Sequence, residues 1–532
     1  MANVTDSSSL LVVPSGWSDG VLGSLKPDDG SGDFTFSRGS DLSATRVNED
    51  GYIEKGYENL YLQSNSFDVA PWSIGGPNYN LTGGQAGYDG SNDAWFLEKI
   101  TTNNSYFSQS VVLVGSVYTV SIRAKANSAN SGILLFFGTP YLNVNLETKS
   151  VYDRRSSIFD SVTDIGNGWV EIVFTFKASQ TSTNFQLVTN NLTGQTGSIY
   201  IQDFQIIQGL TAQPYLETTT TTAKAATISE DQPRIDYTSG NGALLIEPSA
   251  TNSAFYSEYF SGYSGGLGTI EYDDSILNPS NNYGVYKHNV DQTKFTYNIF
   301  GLSVGQKVTY SIFAKSFSTS EFWFGGMFGG EYATFNVVTG SVVSQGSAVN
   351  SAYSVDYGNG WRRFVVSITF SSPLGNNLSY LGFRWRDNVN YVYLWGLQAE
   401  FDSTSASSYI PTYGTTATRA KDTATLTKNV AATGTIYINI NADSAKTLTF
   451  LGGNVSVTQG VNKIALAYSP TALKISHNGS IVQNIARAFD TSSLTEIQLG
   501  HRNNFEQTTD SINQFLTLDS FLTDTELNEL TA

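Results

Sequence analysis

The sequence predicts an all-β protein that contains two tandem copies of one sandwich domain and a smaller third β-domain. Three observations support this fold class. The 532 residues include 49 Gly, 30 Tyr and 31 Phe, and only 14% are charged, a composition typical of turn-rich β-sandwiches. Short runs rich in β-branched and aromatic residues recur between turn residues, as strands do. A six-residue motif also occurs twice, which indicates an internal duplication.

The repeated motif reads DIGNGW at residues 164–169 and DYGNGW at residues 356–361. Its Asn-Gly pair tolerates the positive φ angles of a tight hairpin turn, and a run of strand-forming residues follows each copy. We therefore predict a turn that leads into a buried strand, with Trp169 and Trp361 as structural core anchors. The alternative is a functional loop in which the tryptophan stacks on a sugar.

The duplication extends to both sides of the motif at nearly constant spacing. The matched segments are residues 59–63 with 243–247, 124–125 with 314–315, 199–201 with 392–394, and 214–222 with 408–418. Each copy is roughly 170 to 190 residues long, which is the size of one sandwich domain. We assign residues 57–224 to the first copy, residues 243–420 to the second copy, and residues 225–242 to a connector.

The segments outside the duplication differ from it and from each other. Residues 1–56 contain too few apolar residues for a core of their own, so we predict an N-terminal attachment arm that packs on a neighbour. Residues 421–532 contain several short strands and a hairpin turn at Asn478-Gly479. They end in a predicted helix that Thr523 caps, with Glu526 three residues later. These residues form the smaller third domain.

Charge and cysteine content restrict the function classes. The chain has 46 acidic and 29 basic residues and a net charge of −17, which opposes sequence-independent binding to nucleic acid. It has no Cys, which excludes disulfides and thiolate metal sites. Residues 1–11 lack the basic and apolar regions of an export signal, and no segment has transmembrane length. We therefore expect assembly in the cytoplasm without membrane insertion.

Several short motifs resemble those of bacteriophage tail-fibre and head-fibre proteins. Residues 44–65, which include the motifs ATR and GYIE, resemble the segment that opens those proteins. The motifs PRIDY at residues 233–237 and LLIEP at residues 244–248 are similar to the block that opens the carbohydrate-binding-like sandwiches of those proteins. The stretch from SYIPT to TRAKD, residues 408–422, resembles the block that closes these sandwiches. The first copy lacks the Tyr-Ile-Pro-Thr order of this block. Residues 421–532 resemble a small concanavalin A-like (laminin G-like) domain.

This resemblance implies tandem duplicated jelly-roll sandwiches followed by a smaller lectin-like jelly roll. It also implies a structural component of a tailed-phage virion, such as a tail fibre or head fibre, that contributes to adhesion to host-surface glycans. The implied partners are other virion proteins, contacted through residues 1–56, and further copies of the chain, with a trimer favoured. The alternative function is that of a secreted polysaccharide-binding protein or a glycan depolymerase.

Two groups of residues are the best candidates for glycan binding. They are Arg384, Trp385 and Arg386 in the second copy, and His501, Arg502 and Asn503 in the third domain. The indole of Trp385 can stack on a pyranose while the flanking arginines donate hydrogen bonds to its hydroxyls. The second group follows a predicted strand and is expected on a loop, where binding residues concentrate. The alternatives are that Trp385 packs in the core and that the loop is solvated surface.

The sequence indicates neither an enzyme nor a defined metal site. Its three His residues are scattered, and no nucleophile motif stands in a strand-turn-helix context. We therefore predict no catalytic residues and no cofactor. Carboxylates are ligands that Ca²⁺ prefers, so acidic clusters are candidates for a structural calcium, with solvated turns as the alternative. The two clusters are Asp28, Asp29 and Asp33, and Glu271, Asp273 and Asp274.

Overall fold

In the computed structural model the chain is almost entirely β-structure, which confirms the predicted fold class. No helix within the described residues has the length and apolar character that crossing a bilayer requires. The described residues are 6–13, 16–18, 20–74, 78–102, 107–111, 113, 115–129, 131–178, 183–188, 196–225, 231–261, 269–289, 295–299, 302–316, 321–326, 330–370, 379–385, 391–442, 445–486, 494–499 and 510–532.

The strands are numbered in chain order. The first group is β1 (Leu10–Val12), β2 (Trp17–Ser18), β3 (Val21–Leu22), β4 (Phe34–Ser37), β5 (Thr45–Val47), β6 (Ile53–Lys55) and β7 (Tyr57–Asn59). The next is β8 (Ser73–Ile74), β9 (Tyr79–Gln85), β10 (Ala94–Lys99), β11 (Phe107–Val111), β12 (Val117–Ala126), β13 (Gly132–Phe136), β14 (Tyr141–Asn145), β15 (Ser150–Arg155), β16 (Ser157–Gly166), β17 (Trp169–Lys177), β18 (Thr183–Val188), β19 (Gly197–Gln208) and β20 (Ala223–Ala225).

The later elements follow in the same way. The connector and second copy contain β21 (Arg234–Asp236), β22 (Ala243–Ile246), β23 (Ala250–Asn252), β24 (Thr269–Leu277), β25 (Tyr283–Asn289), β26 (Phe295–Ile299), β27 (Lys307–Lys315), β28 (Glu321–Gly326), β29 (Tyr332–Asn336), β30 (Val342–Gln345), β31 (Val349–Asp356), β32 (Arg362–Thr369), β33 (Ser379–Trp385), β34 (Tyr391–Phe401) and β35 (Ala417–Arg419). The last part contains β36 (Thr423–Thr427), β37 (Gly434–Ala442), β38 (Lys446–Phe450), β39 (Gly453–Val457), β40 (Gly460–Ser469), β41 (Ala472–His477), β42 (Ser480–Ala486), β43 (Glu496–Leu499), β44 (Asp510–Leu518) and the helix α1 (Asp524–Thr531).

The described strands of the two copies share one order in both sheets, except that the first copy has β8 as an additional edge strand. In the first copy one sheet runs β16-β17-β12-β19-β10-β9 and the other runs β15-β14-β13-β18-β11-β8. In the second copy the corresponding orders are β31-β32-β27-β34-β25-β24 and β30-β29-β28-β33-β26. Each copy has its own apolar core. The tandem duplication is therefore present in the topology as well as in the sequence.

The repeated motif forms the same turn in both copies. Asn167 and Asn359 have φ angles of 52° and 51°, and Gly168 and Gly360 have φ angles of 82° and 79°. The tryptophan that follows is 1% exposed in the first copy and 2% exposed in the second. The Asn-Gly pair thus turns the chain into β17 and β32, each of which pairs along its length with the central strand of its sheet.

Replacing either turn glycine with Ala should destabilise its sandwich by about 1–2 kcal/mol, because an L-residue is strained at these φ angles. In each case the added Cβ would lie 3.4 Å from the Cε atom of a lysine. Denaturant unfolding of Gly168→Ala and Gly360→Ala measures the loss, and the shared geometry predicts similar losses. Gly115→Ala is the matched control, because its Cβ would meet nothing within 4 Å. A loss at only one of the two turns would contradict their equivalence.

The third sandwich is assembled from separate parts of the chain. One sheet runs β21-β22-β44-β37-β40-β41-β42, with β1 also paired to β44, and the other runs β2-β3-β4-β36-β43. The prediction of a separate arm at residues 1–56 is therefore corrected, because strands β1 to β4 belong to this sandwich. Their apolar residues are too few for a core of their own, but Leu10, Leu22 and Phe34 are buried in the core of the third sandwich.

The start of the second copy also differs from the sequence alignment. The alignment matches Asn59 with Ala243, but β22 belongs to the third sandwich, where it pairs with β44. The structural equivalent of Asn59 is Asn252. The side-chain amide of Asn59 donates to the Leu216 carbonyl at 2.9 Å, and that of Asn252 donates to the Ile410 carbonyl at 2.9 Å. Residues 243–247 are a short apolar run and residues 250–254, which read ATNSA, are not, so the hydrophobic pattern favoured the wrong segment.

The hairpin formed by β5 and β6 packs on the second sandwich. Val47 and Ile53 belong to one apolar cluster with Trp361 and Trp395. The ammonium group of Lys55, at the end of the hairpin, lies 2.6 Å from a carboxylate oxygen of Glu258. The β5–β6 hairpin follows β1–β4 in sequence and precedes the first sandwich. It therefore covers one face of the second sandwich.

Five fully buried charged side chains meet where the second and third sandwiches join, and we call them the buried arginine cluster. Glu247 Oε2 lies 2.8 Å from Arg234 Nη1 and 2.9 Å from Arg419 Nη1. Asp422 pairs with Arg38 at 3.2 Å and also with Arg234. The PRIDY, LLIEP and TRAKD motifs supply every member except Arg38. These motifs therefore converge on one buried ionic site.

Pairing within the buried arginine cluster outweighs the effect of burial on the Glu247 carboxylate. Burial alone would raise the pKa of Glu247, but Arg419 and Arg234 hold it at about 2. Burial, together with the neighbouring Arg234, lowers the pKa of Arg38 to about 10. Glu247 and Arg38 are thus ionised near neutral pH, and each charge depends on its partners because no solvent reaches it.

Candidate functional site

The structure describes only part of the glycan-binding residues predicted from the sequence. Arg384 and Trp385 lie at the end of β33, which pairs with β28. Arg386 and residues 501–503 lie outside the described residues. Glycan binding by these two groups stays a prediction.

The acidic clusters considered for calcium act locally in turns. Asp33 Oδ1 accepts hydrogen bonds from the backbone N–H and the hydroxyl of Ser24, at 2.6 and 3.0 Å. Asp29 accepts a hydrogen bond from the backbone N–H of Ser31 at 2.9 Å. Asp273 accepts one from the backbone N–H of Ser275 at 2.9 Å, within strand β24. Across the part of the chain that the structure describes, no group of three His, Asp or Glu side chains is arranged to hold a metal ion.

One face of the first sandwich carries a line of aromatic and basic side chains, which we call the tyrosine–lysine row. It consists of Phe96, Tyr200, Lys125 and Trp169 on the adjacent strands β10, β19, β12 and β17. Each residue is directly opposite the next in the strand register. The neighbouring residues in these strands are buried in the core, so the row lies on the opposite side of the sheet.

The side chains of the tyrosine–lysine row contact one another. The rings of Phe96 and Tyr200 have centroids 5.5 Å apart, and those of Tyr200 and Trp169 are 6.5 Å apart. The Lys125 ammonium lies 6.0 Å from the centre of the Tyr200 ring. Trp169 is buried, whereas Phe96, Lys125 and Tyr200 remain partly exposed. The row therefore offers an aromatic surface next to a positive charge.

A second line of residues, the polar row, runs beside the first and consists of Gln202, Arg123 and Glu171. Arg123 is opposite Gln202 on one side and Glu171 on the other. Arg123 Nη2 lies 2.7 Å from Glu171 Oε1. The other terminal nitrogen of Arg123 is buried and has no hydrogen-bond partner within the protein. Such an unpaired donor is rare in native structures.

A loop places Tyr88 over the polar row. Its ring centre is 5.6 Å from the Arg123 guanidinium and 6.3 Å from the Trp169 ring. The Tyr88 hydroxyl donates a hydrogen bond to Asp203 Oδ2 at 3.0 Å. Burial raises the pKa of Asp203 to about 6, and burial together with Asp203 raises the pKa of Tyr88 to about 12. The phenol thus stays protonated near neutral pH and its orientation is held by the carboxylate.

The second sandwich has an equivalent row but a different second line. Lys287, Tyr393 and Lys315 occupy the positions of Phe96, Tyr200 and Lys125. In the second line, Phe313 and Trp395 replace Arg123 and Gln202, and the β5–β6 hairpin packs on them. The second sandwich covers this line with the β5–β6 hairpin, whereas the first covers Arg123 and Gln202 with the loop that carries Tyr88.

The face of the first sandwich can bind a hydroxylated ring. Aromatic side chains stack on the apolar side of a pyranose, and Arg, Lys and carboxylate groups bond to its hydroxyls. Sequence reasoning missed Arg123 and Gln202, because the strands that bring them together are about 80 residues apart. Lys125 recurs in the second copy as Lys315, and Tyr200 recurs as Tyr393. This repetition in the sequence could have identified both residues.

The described histidine of the second copy is a core residue. His288 lies in β25, is 2% exposed, and burial lowers its pKa to about 4. Its structural equivalent in the first copy is Leu97, since each is paired with the same position of the next strand. A neutral, buried imidazole at a position that otherwise holds leucine indicates packing rather than acid–base chemistry.

Comparisons with known proteins give limited similarity. No protein family and no curated protein sequence matches the chain. Among solved structures, the chain is similar to the N-terminal CBM22-1–CBM22-2 tandem domain of Xyn10C from Paenibacillus barcinonensis. The identity is 13%, the match covers 68% of this chain and 99% of that one, and the TM-score is 0.24.

Proposed function

We propose that the chain binds glycans through the tyrosine–lysine row and polar row of its first sandwich, as a structural component of a tailed-phage virion. One observation carries the glycan-binding part. The partly exposed Phe96, Tyr200 and Lys125 lie beside a buried guanidinium that has one nitrogen without a partner. In this proposal a pyranose face covers the rings, and the loop that carries Tyr88 moves aside so that a sugar hydroxyl can reach this nitrogen, which solvent does not reach in the structure.

The virion part of the proposal is supported by the sequence motifs. The PRIDY, LLIEP and TRAKD motifs resemble those of phage tail-fibre and head-fibre proteins, and in this chain they form the buried arginine cluster. A rigid junction between domains suits an appendage that must carry force between particle and host. In this proposal the protein is assembled in the host cytoplasm and resides in the virion. It forms a trimer and contacts other virion proteins.

Loss of the aromatic or the basic group should weaken glycan binding by about fivefold to thirtyfold. Stacking and a charge-assisted hydrogen bond are each worth about 1–2 kcal/mol, and 1.4 kcal/mol corresponds to a factor of ten. The measurement is binding of the full chain to an array of bacterial O-antigen and capsular oligosaccharides, with Tyr200→Ala and Arg123→Ala as variants. Unfolding temperatures verify that each variant is folded.

Tyr152→Ala is the matched control, because Tyr152 is 66% exposed on β15, in the other sheet of the same sandwich. Its binding should equal that of the unmodified chain. Equal binding by all three variants would refute the assignment of the site. A loss confined to Trp385→Ala or Arg502→Ala would instead place binding at the residues predicted from the sequence. Release of reducing ends from the same oligosaccharides would indicate a depolymerase.

A further inference from the structure

We infer that the second sandwich holds a separate groove for a pyranose residue, so that one chain binds a glycan at two sites. This inference rests on the proposed function and extends it. The groove has a volume of about 370 Å³ and is formed by three segments together with Lys315 of β27. These are the turn at residues 356–361, the stretch at residues 275–283, and Tyr52 from the turn of the β5–β6 hairpin.

Aromatic and apolar side chains form the walls of the groove. Tyr283 is 58% exposed and Leu277 is 38% exposed, although both are large. Trp361 also lines the groove, and its indole N–H donates to the Leu277 carbonyl at 2.9 Å. Trp361 is only 2% exposed, so it forms the buried base of the groove, and the exposed walls are Tyr283 and Leu277. Such walls match the apolar C–H face of a pyranose.

Polar groups lie among these rings. The Asn359 side-chain amide donates to the Tyr52 hydroxyl at 3.4 Å, which links two of the three segments. Lys315 lines the groove, with its ammonium 6.0 Å from the centre of the Trp361 ring. Among the described residues that line the groove, Lys315 is the only charged one. One charge among hydroxyl and amide groups favours a hydroxylated ligand over a phosphate or nucleic acid, which needs several cations.

The groove is not a copy of the face on the first sandwich. Tyr52 comes from outside the duplicated unit, so the duplication alone does not build this wall. The groove shares with the row only the counterparts of Lys125 and Trp169, namely Lys315 and Trp361, and extends from them over the turn that precedes β32, whereas the row lies across the middle of a sheet. The two sites therefore have different shapes, and each would contact a different part of a glycan chain.

The two sandwiches are fixed to each other, which sets the distance between the two sites. The backbone N–H of Val117 donates to the Tyr413 carbonyl at 3.1 Å. The Tyr256 hydroxyl donates to the Gly115 carbonyl at 2.9 Å, and the Lys177 ammonium lies 4.8 Å from the Tyr256 ring centre. Two sites held rigidly at one spacing bind a repeating polymer with a higher apparent affinity than either site alone.

The test uses the full chain on the same array of bacterial O-antigen and capsular oligosaccharides, printed at high density. Tyr283→Ala removes an exposed wall of the groove and is expected to reduce apparent affinity about a hundredfold, the lower end of the gain from linked sites. The double variant Arg123→Ala/Tyr283→Ala should bind more weakly than either single variant. Tyr152→Ala is again the matched control and should bind like the unmodified chain.

The outcomes separate this inference from the proposed function. Unchanged binding by Tyr283→Ala, together with a loss in Arg123→Ala, would overturn the groove and leave the first site in place. A loss in Tyr283→Ala with unaltered unfolding temperature supports the groove. Absence of glycan binding by the unmodified chain would overturn both. Lys315→Met serves as a second variant, with the same direction of effect expected if the groove is a binding site.

Discussion

A chain that lacks residues 1–38 should lose the folded third sandwich. The deletion removes β1 from one sheet and β2, β3 and β4 from the other. It also removes five side chains buried in the core, namely Leu10, Val12, Leu22, Phe34 and Phe36. Full burial of such side chains stabilises by about 1.5–3 kcal/mol each. Their combined contribution rivals the entire stability of a typical domain, about 5–15 kcal/mol.

Hydrogen exchange followed by mass spectrometry can locate the effect of this deletion. Residues 434–518 should lose protection, because β37, β40 and β44 lose their core, while residues 117–177 in the first sandwich should remain protected. A point variant gives the same information in the complete chain. Phe34→Ala, in the core, should cost about 3–5 kcal/mol, whereas Leu25→Ala, at a residue that is 51% exposed, should change stability by less than about 0.5 kcal/mol. Unchanged protection of residues 434–518 in the deletion would contradict the fold.

Asp422→Ala should be one of the most damaging single substitutions in the chain. It leaves Arg38 and Arg234 without their shared carboxylate in a site that solvent does not reach. Removal of one partner from a buried ionic group costs about 3–5 kcal/mol, because the remaining charge is neither hydrated nor paired. The backbone N–H of Glu247, which donates to Asp422 at 2.9 Å, also loses its acceptor. We therefore expect a loss of about 5 kcal/mol, measured by denaturant unfolding.

An exposed ion pair provides the control for this substitution. Asp356 pairs with Arg362 at 2.7 Å, the same chemistry, but the Asp356 side chain is 57% exposed. Asp356→Ala should cost no more than about 1 kcal/mol, since surface ion pairs contribute little. Asp422→Asn keeps the shape of the side chain and should still be strongly destabilising. Similar small losses for Asp422→Ala and Asp356→Ala would show that the buried arginine cluster does not stabilise the junction.

How far the fold could be predicted depended on the sequence separation of the interacting residues. The turns at residues 164–169 and 356–361 follow from local Asn-Gly chemistry, and their repetition revealed the duplication. The pairing of β1 with β44 has no such signal. The backbone N–H of Ser9 donates to the Thr517 carbonyl, and these residues are 508 positions apart. A three-residue strand specifies no partner by itself, so residues 1–56 could be recognised as incomplete but not placed.

The candidate site was harder to predict than the fold because it depends on strand register. Lys125, Tyr200 and Trp169 each have an identical counterpart in the second copy, but only the register places them side by side. The sequence alignment already matches Arg123 with Phe313, but only the strand register shows that Arg123 lies between Gln202 and Glu171, beside the row. A polar residue in one copy and an apolar one in the other marks the difference between the proposed binding face and the face packed against the β5–β6 hairpin.

The pairing of the first strands with the last has a consequence for synthesis. A ribosome adds about 5–20 residues per second, so roughly 25–100 s separate the emergence of β1 from that of β44. The first and second sandwiches contain their own strands and can fold during translation. The β1–β4 segment must wait, because its partners do not yet exist. Translation that stops before residue 510 leaves these strands without β44, and the exposed apolar residues mark the product for proteolysis.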